Sequence, residues 1–134
     1  MKKKINILLI EDNDIEVIKM ERTILSLQLN HKITAVKSAD EAFIILKQKE
    51  YFPDIIFLDL NMPKISGIEF LSAFKSNNDL RHIPIVILTT SDFQKDREEC
   101  YRIGISGYIL KPLKYKDYVK KIDVVLSYWC INEL

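Results

Sequence analysis

Apolar runs recur along the chain, each followed by a polar cluster and then by a stretch with helical spacing. Ile5 to Ile10, Ile55 to Leu58 and Ile85 to Leu88 are almost unbroken apolar segments. Short runs of this kind, bounded by Pro or polar breakers, predict strands buried on both faces. Lys32 to Val36 is shorter in apolar content, with Ile33, Ala35 and Val36, as an edge strand should be. Ser106-Gly107-Tyr108-Ile109-Leu110 supplies a fifth strand.

The segments between them read as helices. Asn13 or Asp14 can cap a helix in which Val17, Met20, Ile24 and Leu27 keep helical spacing to about residue 29. Ser38 or Asp40 starts a second, carrying Ala42, Phe43, Ile45 and Leu46. Gly67 to Lys75 places Ile68, Leu71 and Phe74 inward. The fourth helix, about Asp92 to Ile103, is polar throughout Gln94 to Glu99 and so thinly anchored; Gly104 stops it. The last, about Tyr115 to Ile131, buries Tyr118, Ile122, Val125 and Trp129 and carries a second apolar stripe, Val124, Tyr128 and Ile131.

Strands alternating with helices imply parallel β-α-β units with right-handed crossovers. The expected class is α/β: a doubly wound five-stranded parallel sheet with helices on both faces. One domain over 1–134 fits the length. In such sheets ligands bind beyond the carboxyl ends of the strands, where strand order reverses. The residues that follow four of the strands would gather there: Glu11-Asp12, Asp59, Thr89-Thr90 and Lys111.

That set has a definite chemistry. Three converging carboxylates repel one another unless a cation sits among them. Oxygen donors without Cys or His describe a Mg2+ site better than a zinc site. Mg2+ needs one or two protein carboxylates, which leaves one free to act as a nucleophile toward phosphorus. The Thr89 hydroxyl and the Lys111 ammonium would hydrogen-bond to and neutralise phosphoryl oxygens. The residues therefore point to a Mg2+-dependent phosphoaspartate site at Asp59.

Composition removes competing classes. A formal net charge of +1 gives no bulk attraction to nucleic acid or membrane. No apolar run approaches the ~20 residues that span a bilayer. The lead Met1-Lys2-Lys3-Lys4 reads as a solvated basic start to the first strand, with no signal-peptide core behind it. Two cysteines, Cys100 and Cys130, without metal spacing suit a reduced cytoplasmic compartment. His31 and His82 lack ligand spacing and receive no role.

Over essentially its whole length the chain resembles the receiver domain of two-component response regulators. The resemblance is carried by Glu11-Asp12, by Asp59-Leu60-Asn61-Met62-Pro63 with Gly67, by Leu88-Thr89, and by Tyr108-Ile109-Leu110-Lys111-Pro112. It implies a flavodoxin-like sheet in the order 2-1-3-4-5 with five helices. It also implies that Asp59 accepts a phosphoryl group from a partner's phosphohistidine. Glu11, Asp12, Asp59 and the backbone carbonyl of Asn61 would hold Mg2+. Thr89 and Lys111 would contact the phosphoryl group, Thr89 and Tyr108 would switch, and the bond before Pro112 would be cis. Many members carry Asp where this chain has Glu11, which leaves open whether Glu11 meets metal directly or through water. Glu11-Asp12-Asn13, Leu88-Thr89-Thr90-Ser91 and Tyr128-Trp129 resemble single-domain regulators paired with phytochrome-type and related histidine kinases.

Each residue alone has a plainer reading: Glu11 and Asp12 as helix-terminus charge, Thr89 as a cap, Lys111 as a loop lysine. Their joint order favours the site. The implied partners are a sensor histidine kinase, of phytochrome or hybrid type, and a downstream protein or phosphotransfer protein. The face of the fourth helix, fifth strand and last helix is expected to meet such a partner or a second copy. The expectation is a stand-alone receiver with no output domain that catalyses only its own phosphorylation and dephosphorylation. A haloacid dehalogenase-type phosphohydrolase is the rival, but it wants a second Asp where this chain has Asn61. An adaptor that keeps only the fold is the other, and retention of all the site types argues against it.

Overall fold

The computed structural model describes residues 4–62 and 66–132. The expected loop positions Pro63, Lys64 and Ile65, and the basic lead Met1-Lys2-Lys3, lie outside the described residues. The strands are β1 (Asn6–Ile10), β2 (Lys32–Val36), β3 (Ile55–Leu58), β4 (Ile85–Thr89) and β5 (Gly107–Leu110). Between and after them run α1 (Asp14–Ser26), α2 (Ala39–Leu46), α3 (Gly67–Lys75), α4 (Gln94–Ile103) and α5 (Tyr115–Ile131). All strand pairs are parallel, in the order β2-β1-β3-β4-β5.

The two-residue period of the strands divides the core. Leu8, Ile10, Ile56, Leu58, Ile85 and Ile87 face one layer, where α2 and α3 contribute Leu46, Phe70 and Phe74. Ile7, Leu9, Ile55, Phe57, Val86 and Leu88 face the other, against Met20 and Ile24 of α1 and Tyr118, Ile122 and Leu126 of α5. A one-residue slip of any central strand would exchange the two sets, so register is tightly fixed.

Local chemistry sets the helix ends. Asn13 and Ser38 accept backbone N–H groups of Ile15 and Glu41, as N-caps do. The first helix stops at Ser26, before the position its apolar spacing suggests. Gln28 takes φ 56°, the Gln28 N–H donates to Leu25 O, and the Leu29 N–H donates to Ile24 O. That is a Schellman motif with Gln where Gly is usual. Leu29 is thereby folded back onto the core. Cys100 is the only buried residue of α4, in keeping with its polar sequence.

The Lys111–Pro112 bond, expected cis, is trans. Trans is the intrinsically favoured form by roughly 0.5–1 kcal/mol. It already lets the Lys111 N–H donate to Thr89 O at 2.8 Å while its ammonium enters the site, so nothing local demands the other isomer.

Candidate functional site

Pairing of β1 with β3, Ile10 opposite Leu58, puts the residues that follow them side by side. The Asp59 N–H donates to Ile10 O at 3.2 Å, and the Glu11 N–H donates to Val36 O at 2.9 Å. Both carboxylates are thus delivered by backbone that remains hydrogen-bonded past the strand ends. Carboxylate oxygens of Glu11, Asp12 and Asp59 lie within 4.8 Å of one another. Glu11 is 2% exposed and Asp59 8%, so the cluster is not a solvated acidic surface.

Lys111 arrives from the end of β5. Its ammonium donates to Glu11 Oε1 at 2.7 Å, and its side chain is only 6% exposed. The other Glu11 oxygen accepts the Asn13 N–H at 3.3 Å. Burial pushes the Glu11 carboxyl up to about 7, with the negative charge of Asp59 adding to the rise; Lys111 opposes both and does not win. Burial would lower the Lys111 ammonium, but Glu11, Asp59 and Glu16 together leave it raised. The pair is a cation held among carboxylates whose summed negative charge exceeds it.

Thr89, fully buried at the end of β4, has its hydroxyl engaged twice. It accepts from Asn61 Nδ2 at 3.4 Å and from the Ser91 N–H at 3.2 Å. The Asn61 N–H donates to Asp59 Oδ1 at 3.3 Å. Tyr108 is half-buried, and its hydroxyl donates to Ser91 O at 2.8 Å. The Thr89 hydroxyl and the Tyr108 hydroxyl therefore grip the N–H and C=O of the same residue.

Gly67 closes the site from below. A Cβ there would stand 2.6 Å from Leu60 Cα and 2.8 Å from Asp59 O, both backbone atoms that cannot rotate away. Only Gly lets α3 begin this close to the chain leaving β3.

The structure brings together Glu11, Asp12, Asp59, Asn61, Thr89 and Lys111; Tyr108 joins through Ser91. Sequence reasoning missed Glu16, whose Oε2 lies 3.5 Å from Lys111 Nζ. In sequence it is one more acid in a helix first turn, and only the reach of the Lys111 side chain toward it in the fold reveals it. Oxygen donors at this spacing suit a hard divalent cation, which usually takes one or two carboxylates and keeps waters.

The response regulator receiver domain matches residues 7–123, and the chain belongs to that family. Curated relatives include the "Probable methanogenesis regulatory protein FilR2" of Methanothrix harundinacea, 32% identical over 92% of this chain and 82% of its own. They also include "Response regulator Rcp1" of Synechocystis, 31% identical over 92% of this chain and 87% of its own. Among solved structures, the phosphorylated cyanobacterial phytochrome response regulator RcpA superposes with a TM-score of 0.90, at 28% identity and 98% coverage of both chains. The Mn2+-bound form of Rcp1 superposes at 0.86, with 30% identity and 97% coverage of both. The sheet order and five helices expected from the motifs are those of this family's fold. Among the described residues, no helix is long and apolar enough to cross a membrane.

Proposed function

We propose that Asp59 is the phosphoacceptor of a Mg2+-dependent receiver and that Glu11, Asp12, Asp59 and the Asn61 carbonyl are its metal ligands. The observation that carries this reading is the cluster of three carboxylates, Glu11 and Asp59 buried and Asp12 partly so, with one ammonium 2.7 Å from the nearest of them. A bound divalent cation would neutralise charge on the incoming phosphoryl oxygens. Asp59 supplies a carboxylate oxygen that forms the new O–P bond. The P–N bond of the donor phosphohistidine breaks, and its electron pair returns to the imidazole. Lys111 and Thr89 donate hydrogen bonds to the transferred group, Thr89 after releasing its contacts with Asn61 and Ser91. Because Ser91 also receives the Tyr108 hydroxyl, moving Thr89 loosens Tyr108. That shifts the population of the face built from α4, β5 and α5.

The donor is a sensor histidine kinase, and the similarity to a cyanobacterial phytochrome response regulator favours a phytochrome-type one. The receiver of the signal is a protein or phosphotransfer partner, or a second copy, meeting the stripe of Val124, Tyr128 and Ile131, which are 69%, 54% and 79% exposed. The chain acts in the cytoplasm and catalyses only formation and loss of its own acyl phosphate.

Beryllofluoride with Mg2+, followed by NMR, tests the reading. Shifts at Asp59, Thr89 and Tyr108 that vanish in Asp59→Asn support it. An unchanged spectrum favours an adaptor that has kept the fold alone, and turnover of added phosphomonoesters favours a hydrolase.

A further inference from the structure

Lys111 has three N–H donors, and Glu11 takes one of them. A second carboxylate stands beside it. Glu16, in the first turn of α1, holds Oε2 3.5 Å from Lys111 Nζ. That oxygen is buried and makes no hydrogen bond. It faces the ammonium in an ion pair that stops short of a hydrogen bond, although the Glu16 side chain as a whole is 23% exposed. The other Glu16 oxygen is 3.6 Å from Lys19 Nζ, which itself sits 4.4 Å from the centre of the Tyr118 ring. The helix is fixed by the Asn13 cap and by buried Met20, Thr23 and Ile24. Glu16 is therefore held in place by elements outside the site.

We infer that Glu16 is a positioning residue: a second seat for the Lys111 ammonium, occupied when a divalent cation engages Glu11. The inference rests on the reading of Glu11 as a metal ligand. Cation and ammonium compete for the same carboxylate. Lys111 is 6% exposed and has little water to turn to when it loses Glu11. A buried unpaired charge is costly. Closing 3.5 Å by well under 1 Å would bring Nζ and Glu16 Oε2 to the ~2.8 Å of a charge-assisted hydrogen bond. The ammonium then stays in the cleft beside Asp59, with donors left for a phosphoryl oxygen.

The test is NMR of the lysine ammonium groups of the full chain during a Mg2+ titration, in wild type, Glu16→Gln and Glu16→Ala. In wild type the Lys111 signal shifts on loading and stays protected from exchange. In Glu16→Ala it is lost on loading, and the Mg2+ dissociation constant rises about tenfold, as for other supports of metal ligands. Glu16→Gln, which keeps the volume and an acceptor without the charge, falls between. Asp14→Asn, on the same turn but exposed and paired with Lys37, gives the through-space baseline. The inference is overturned if both Glu16 variants match Asp14→Asn in affinity and keep a protected Lys111 signal. If wild type itself binds no Mg2+, the metal-site reading has failed, and this inference with it. If wild type binds Mg2+ and both Glu16 variants behave as Asp14→Asn does, the inference alone has failed.

Discussion

Replacing Glu11 by Gln removes a titrating carboxylate and little volume. The wild-type carboxyl is raised from 4.5 to about 7, chiefly because it is buried. Its folded value lies above its unfolded one. The stability it contributes is therefore fully present below about 4.5 and is lost as pH rises through about 7. Gln does not titrate, so its own hydrogen bonds shift the variant by a pH-independent amount. At about 1.4 kcal/mol per unit, wild type minus variant should fall by roughly 2–3 kcal/mol between pH 5 and pH 8. The assay is urea unfolding followed by far-UV circular dichroism, at both pH values, with a chelator present throughout. Adding Mg2+ at pH 8 should return stability to wild type and much less to the variant, because ligand that binds only the folded state stabilises it. A difference that is flat with pH, or that favours wild type more at pH 8, would refute the reasoning that burial outweighs Lys111.

Gly67→Ala should destabilise the fold by about 1–3 kcal/mol, since the new methyl meets Leu60 Cα and Asp59 O; a urea midpoint equal to wild type would contradict this. Tyr108→Phe should lose about 1 kcal/mol, the worth of one hydrogen bond to Ser91 O, and should exchange faster at the Ser91 amide by hydrogen-exchange NMR. Cys100 is fully buried, with its thiol pushed up to about 11 first by burial and then by Asp96 and Glu99. An alkylating reagent at neutral pH should therefore label Cys130 long before Cys100, and mass spectrometry of the digested chain reads the order.

Much of the fold was legible because central parallel strands leave a plain mark. Ile55 to Leu58 is buried on both faces and is apolar at every position. Glu11, Asp59 and Thr89 were legible because each immediately follows such an apolar run. Other features depend on tertiary context and leave no such mark. Gln28 ends α1 in a left-handed conformation that sequence would assign to Gly. Pro112 gives no sign of its isomer. The engagement of Lys111 with Glu11, and the approach of Glu16, depend on how the Lys111 side chain reaches from the end of β5 toward the end of β1 and the start of α1. Val125 and Trp129 show the limit of helical spacing: both pack only partly, while Leu126 between their stripes is buried.

The most direct measurement is the intact mass of the chain after incubation with acetyl phosphate. With Mg2+ present, one phosphoryl group should be gained, at Asp59, and lost under mild base as an acyl phosphate is. Chelator or Asp59→Asn should abolish the gain. A phosphoryl group that appears on another residue, or that appears equally without a divalent cation, would contradict a metal-assisted aspartyl phosphate at the meeting point of these strand ends.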